Sequence, residues 1–191
     1  MNKVPTVIFG GSFDPVHIGH LALAQEVCDR ALAREVWFMV SPQNPHKTDM
    51  RLTPEEARLR MVELATACDS RLKACDFEFS LPRPSYTVHT LEALRSAYPL
   101  REFILLIGAD NWEKFHKWYR WEDILAHHRI IVYPRGSEEQ PPLPQGVQWL
   151  SSALYDVSST QVREAVAAGI DASAMLAPLV YEYIKEQKLY I

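Results

Sequence analysis

The sequence predicts an α/β fold, a doubly wound and mostly parallel sheet with a C-terminal helical segment. Three observations carry that expectation. Short apolar runs alternate with stretches of helical spacing along most of the chain, the pattern in which crossover helices return each strand to one sheet. The runs at Val4–Phe9, Val36–Val40, Phe103–Ile107 and Ile130–Tyr133 are mainly apolar, as strands covered on both faces are. Of only 7 glycines in 191 residues, Gly10, Gly11 and Gly19 fall within ten residues, directly after the first run. In an open parallel sheet that is the edge where ligands bind.

The remaining elements follow in order. Ile18, Leu21, Ala24, Cys28 and Leu32 recur at helical spacing after the first strand. Thr53-Pro54-Glu55-Glu56 predicts a helix start, with Thr53 as N-cap, Pro54 at the first helical position and Glu56 closing a capping box. Leu59, Val62 and Leu64 or Ala65 would carry that helix's apolar side. Leu72–Phe79 reads as extended, Val88–Ala97 as helical and Trp121–Ala126 as a short helix. Gly136–Gly146 has loop composition, Val147–Leu150 returns toward the sheet, and Ser158 to Leu189 is helical. About 45 residues follow that loop, too few for an independent core, so residues 1–191 are expected to form one domain, with its C-terminal helical part at about 158–191.

Composition narrows the function. A net charge of -4 argues against a broad surface for a nucleic acid polymer. No stretch approaches the ~18 apolar residues of a membrane span, and the first apolar run is too short for a signal peptide. Cys28, Cys68 and Cys75 form no CxxC pair, which fits reduced thiols in a cytoplasmic protein. Cys28 and Cys68 lie in helical patterns and read as small buried hydrophobes. Oligomeric state is open, a homo-oligomer included.

The first strand ends in Gly10-Gly11-Ser12-Phe13-Asp14-Pro15-Val16-His17-Ile18-Gly19-His20. Adjacent glycines permit backbone angles closed to other residues and let a ligand approach the main chain. His17 and His20 stand three apart at a helix start, on one face, where free N–H groups and the helix dipole attract anions. Two imidazoles there suit a phosphate better than a metal, since no third ligand is near in sequence. The P-loop and GxGxxG patterns are absent. A second candidate lies at Ser158-Ser159-Thr160-Gln161-Val162-Arg163. It reads either as an ordinary capping box through Ser158 and Gln161 or as a cradle of hydroxyls, N–H groups and an arginine for polyphosphate.

GGSFDPVHIGH resembles the signature of the nucleotidyltransferase superfamily that carries the HxGH motif, and Ser158–Arg163 resembles its second signature. The resemblance implies a Rossmann-like nucleotidyltransferase fold and transfer of a nucleotide's α-phosphoryl group to a phosphate, with release of pyrophosphate. It also implies catalytic roles for His17, His20 and Arg163. ATP would lie against Gly10, Gly11, Ser12, Phe13, Gly19, Gly108, Ser159 and Thr160 as well. The middle of the chain resembles one branch, the bacterial nicotinate mononucleotide adenylyltransferases. By that resemblance His46 and Lys47 add positive charge, Tyr86 and Thr87 lie beside the nicotinate, Asp110 accepts from ribose hydroxyls and Trp118 stacks on the pyridine ring. Trp37, Trp112, Trp121 and Trp149 are expected to pack. The chain departs from the branch after the fifth strand, reading Tyr133-Pro134-Arg135-Gly136 instead of Arg-Pro-Gly.

The implied reaction joins ATP and nicotinate mononucleotide into nicotinate adenine dinucleotide, with Mg²⁺ carried mainly on ATP phosphates and no metal site of the protein's own. Alternatives are a nicotinamide mononucleotide or phosphopantetheine adenylyltransferase, and a non-catalytic nucleotide-binding module. Phosphopantetheine enzymes typically have Thr where His17 stands. A non-catalytic module would have lost a motif histidine or Arg163.

Overall fold

The computed structural model describes residues 3–42, 52–134, 140–151 and 156–191. Among them, six strands form one parallel sheet: β1 (Val4–Gly11), β2 (Glu35–Val40), β3 (Leu72–Cys75), β4 (Arg101–Gly108), β5 (Ile130–Tyr133) and β6 (Val147–Trp149). Their order is β3-β2-β1-β4-β5-β6, and every pairing is parallel. The winding reverses between β1 and β4, which opens a crevice at the carboxyl ends of those two strands. Phe9 pairs with Leu106, so Gly11 and Gly108, each two residues further on, end the two strands side by side.

Among the described residues, seven α-helices connect and cover the strands: α1 (Ile18–Asp29), α2 (Glu55–Thr66), α3 (Thr87–Ala97), α4 (Ala109–Trp112), α5 (Trp121–His127), α6 (Ser159–Ala167) and α7 (Pro178–Glu186). Alternate residues of the central strands feed opposite cores. Val7, Phe9, Phe38 and Leu106 face one that also takes Val27, Met61, Val162, Val180 and Ile184 from α1, α2, α6 and α7. Ile8, Met39, Leu105 and Ile107 face the other, with Leu91, Leu94, Phe115 and Ile124. The C-terminal helices thus share a core with the first strand.

Local expectations are corrected in five places. β1 continues through both glycines, and neither has a left-handed φ; that conformation falls on Phe13, at φ 47°. α2 begins at Glu55 with Pro54 as its N-cap and no side-chain cap. Thr53 is drawn elsewhere: its N–H donates to Asp14 Oδ2 and its carbonyl accepts from Arg58. The buried face of α2 is Arg58, Met61, Val62 and Thr66, with Leu59, Leu64 and Ala65 half-buried. β3 stops at Cys75, and Phe77–Ser80 turns as a 3-10 helix, because the Glu78 carboxylate is turned inward to Thr90 Oγ1. Cys68 lies just past the end of α2 and is exposed; Cys28 is buried as expected.

Candidate active site

The first half of the site is built by the loop between β1 and α1. Phe13 is buried, packed edge-on against Phe9 at 5.5 Å and His20 at 5.2 Å. A Cβ on Gly11 would meet the Phe13 ring at 3.0 Å, whereas one on Gly10 would project into open space. A side chain at Gly11 would thus have to shift the buried Phe13 ring by a few tenths of an ångström, and Gly10 leaves the strand end uncovered. His17 is the N-cap of α1, and its ring stacks on that of His20 with centroids 3.6 Å apart. The His17 N–H donates to His20 Nδ1 at 3.2 Å. That bond places the proton of neutral His20 on Nε2, which makes Nε2 the donating nitrogen. Gly19, buried in the first turn of α1, separates the two.

The second half is the start of α6, where Ser158 and Gln161 do form the capping box. The helix docks on the first loop through two bonds: Ser159 Oγ donates to Pro15 O at 2.9 Å, and Arg163 Nη1 donates to Asp14 O at 2.7 Å. Arg163 Nη2 also donates to Thr160 Oγ1 at 3.1 Å. Neither α1 nor α6 carries an acidic residue in its first turn, whereas α2 carries Glu55 and Glu56. The positive ends of those two helix dipoles are left unneutralised by their own sequence. Two helix starts, two imidazoles and an arginine converge where a polyanion would be held.

Beneath this loop lies a residue that sequence reasoning missed. Arg58 is 1% exposed, and its guanidinium donates to Thr53 O at 2.8 Å, Ser12 O at 2.7 Å, Ser41 O at 2.8 Å and Pro42 O at 3.0 Å. One cation thus ties the β1–α1 loop to the end of β2 and to the lead-in of α2. Burial pulls its pKa down, and nearby Asp14 opposes that most strongly. The sequence signal was an arginine in helical register with Met61 and Val62.

The residues expected on the acceptor side lie at the starts of α3 and α4 and in the segment around Trp118. Gly108 is the N-cap of α4, and Asp110 is exposed in its first turn. Tyr86 is the N-cap of α3 and Thr87 its first residue. Trp118 is half-buried against Phe115 at 5.4 Å. Its neighbour Tyr119 lies 5.0 Å from Tyr86 and 5.5 Å from His89, and Arg120 bonds Glu92 of α3 at 2.9 Å. The Tyr86-Thr87 start and the Trp118 segment, apart in sequence, are thereby joined. Glu78, buried behind α3, accepts from Thr90 Oγ1 at 2.8 Å, and its burial pushes its carboxyl pKa up. Trp37 packs under Arg101, and Trp112, Trp121 and Trp149 line the second core. His46, Lys47 and Arg135 lie outside the described residues. Among the described residues no group of three or more His, Cys, Asp or Glu could hold a metal ion, and no helix is long and apolar enough to cross a membrane.

Comparison with known proteins identifies the family and the fold. Residues 8–165 match the cytidylyltransferase-like family. The probable nicotinate-nucleotide adenylyltransferase of Bacteroides thetaiotaomicron is 51% identical over 97% of this chain and 93% of its own. That of Flavobacterium johnsoniae is 39% identical over 96% and 97%. Among solved structures, Plasmodium falciparum nicotinic acid mononucleotide adenylyltransferase complexed with NaAD superimposes with a TM-score of 0.79 at 18% identity, covering 98% of each chain; that likeness speaks to the fold. The chain belongs to the cytidylyltransferase-like family and, within it, to the nicotinate-nucleotide adenylyltransferases.

Proposed function

We propose that this protein transfers the adenylyl group of ATP to nicotinate mononucleotide, giving nicotinate adenine dinucleotide and pyrophosphate. The observation that carries the reading is the docking of the α6 start onto the β1–α1 loop through Arg163 and Ser159. It gathers the groups suited to a triphosphate at the point where the sheet reverses its winding. The acceptor phosphate is already an anion near neutral pH, so neither a general base nor a covalent enzyme intermediate is required. An acceptor oxygen attacks the α-phosphorus, the bond to the bridging oxygen breaks, and its electron pair leaves on pyrophosphate. The protein's task is to align two polyanions and to offset the charge that develops.

In this reading His17 and His20 donate to the phosphates around the α-phosphorus, Arg163 and Thr160 hold the departing pyrophosphate, and the dipoles of α1 and α6 add to the field. Gly10 leaves room for the nucleotide, with Ser12, Phe13 and Gly108 lining its seat. Asp110 takes the ribose hydroxyls. Tyr86, Thr87 and Trp118 receive the nicotinate ring and its carboxylate, and His46 and Lys47 contribute charge from their loop. The donor set fits a Mg²⁺ that arrives on phosphate oxygens and water. Such an ion would supply charge neutralisation to the triphosphate, while the residues named supply orientation. Residues 1–191 act as one unit in the cytoplasm on small nucleotide substrates.

The test is pyrophosphate release from ATP with a panel of acceptors. Nicotinate mononucleotide is expected to give the highest kcat/KM. Turnover with nicotinamide mononucleotide or phosphopantetheine but not with nicotinate mononucleotide would overturn the reading, and ATP binding without any release would mark a non-catalytic module.

A further inference from the structure

We propose that Tyr190 is a positioning residue for the nucleotide: its hydroxyl fixes Asp14, and Asp14 aims Arg163. The inference rests on reading Arg163 as a ligand of the ATP phosphates. Tyr190 Oη donates to Asp14 Oδ1 at 2.6 Å, across 176 residues of sequence, a length typical of a hydroxyl bonded to a carboxylate. Asp14 is 3% exposed. Its other carboxylate oxygen accepts from Thr53 N–H at 3.2 Å, and its carbonyl accepts from Arg163 Nη1 at 2.7 Å. The side chain of Asp14 is thus held from two sides while its main chain orients the guanidinium.

Two further observations support this role. Burial and the adjacent Asp14 push the Tyr190 phenol pKa well up, so the hydroxyl remains a donor throughout the working pH range. Lys188 and Tyr190 both adopt left-handed backbone conformations, at φ 52° and 66°. Such conformations cost energy in residues other than glycine and persist where tertiary contacts over-determine them. Tyr190 supplies such a contact, and the group it reaches belongs to the loop that presents His17.

The experiment compares wild type with Tyr190→Phe, Arg163→Ala and the double variant. ATP affinity is measured by calorimetry without acceptor, and KM and kcat by pyrophosphate release, with thermal melts alongside. If Tyr190 acts through Arg163, Tyr190→Phe raises Kd and KM for ATP about fivefold, leaves the acceptor KM within about twofold, and adds nothing in the Arg163→Ala background. An unchanged ATP Kd in Tyr190→Phe beside a weakened one in Arg163→Ala overturns the inference alone. No effect of Arg163→Ala on ATP overturns the underlying reading of Arg163 as well. Parallel losses for ATP and acceptor that follow a falling Tm would make the contact merely structural and overturn the proposal. Should Tyr190→Phe not fold, Asp14→Asn, which keeps the shape of the hub and removes its charge, must give the same split between ATP and acceptor.

Discussion

The two sides of the crevice are built by different physics. The side proposed for ATP is a charged assembly held from below: Arg58 bonds four carbonyls, Asp14 accepts from Tyr190 and Thr53, and Arg163 bonds back to Asp14. The side proposed for the acceptor is aromatic and more open, with Tyr86 38% and Tyr119 52% exposed and ring contacts of 5.0–5.9 Å among Tyr86, His89 and Tyr119. A triphosphate presents charge at several fixed positions, which rewards donors that need no reorganisation. A planar pyridine ring with one carboxylate asks for a face to stack on and a few donors. Donors fixed by buried hydrogen bonds on one side and exposed aromatic faces on the other would match those demands.

The comparison breaks most readily at Arg58. Arg58→Met leaves four carbonyls and Asp14 without their buried cation, and is expected to cost about 3–5 kcal/mol of stability; a denaturant midpoint close to wild type would contradict the idea of a clamp. His20→Ala comes next. It should lower kcat by about 10²–10³-fold with little change in ATP affinity, checked by single-turnover kinetics, and an unchanged kcat would remove His20 from the reaction. Trp118→Ala tests the other side: a lost stacking worth ~0.5–2 kcal/mol raises the acceptor KM by roughly two- to thirtyfold and leaves the ATP KM alone.

The smallest effect concerns Glu78, which anchors α3 behind the acceptor residues. Burial raises its pKa, so between its unfolded and folded values the native protein binds more protons than the unfolded chain. Stability therefore falls as pH rises through that window, above the ordinary glutamate pKa. Glu78→Gln should flatten that part of the pH–stability curve, measured by chemical denaturation from pH 4 upward. An unaltered slope would mean that Glu78 carries its charge at no cost.

Much of this was legible in residue order. The alternation of strands and helices, the glycines at the first strand end and the Ser158–Gln161 capping box all rest on interactions within a few residues. Three of the corrected expectations share one cause, a local preference overridden by a partner elsewhere in the fold. Thr53 has the chemistry of an N-cap, yet its N–H goes to Asp14. Glu78 turns inward to Thr90 and ends β3 early. The left-handed angle expected of the glycines falls on Phe13, whose ring packs against Phe9, His20 and Phe38.

Residue order thus carries the succession of the elements, the sheet edge at which the candidate site lies and the types of side chain placed there. Periodicity and capping act over one or two turns and can be read along the chain. It takes the three-dimensional packing to make Arg58 a buried hub, to join Tyr190 to Arg163 through Asp14 and to bring Tyr86 against Tyr119. The bonds through Asp14 to Arg163 and Tyr190 span 149 and 176 residues. They exist because packing α6 and α7 into the core of β1 and α1 brings those atoms together, which no local spacing encodes.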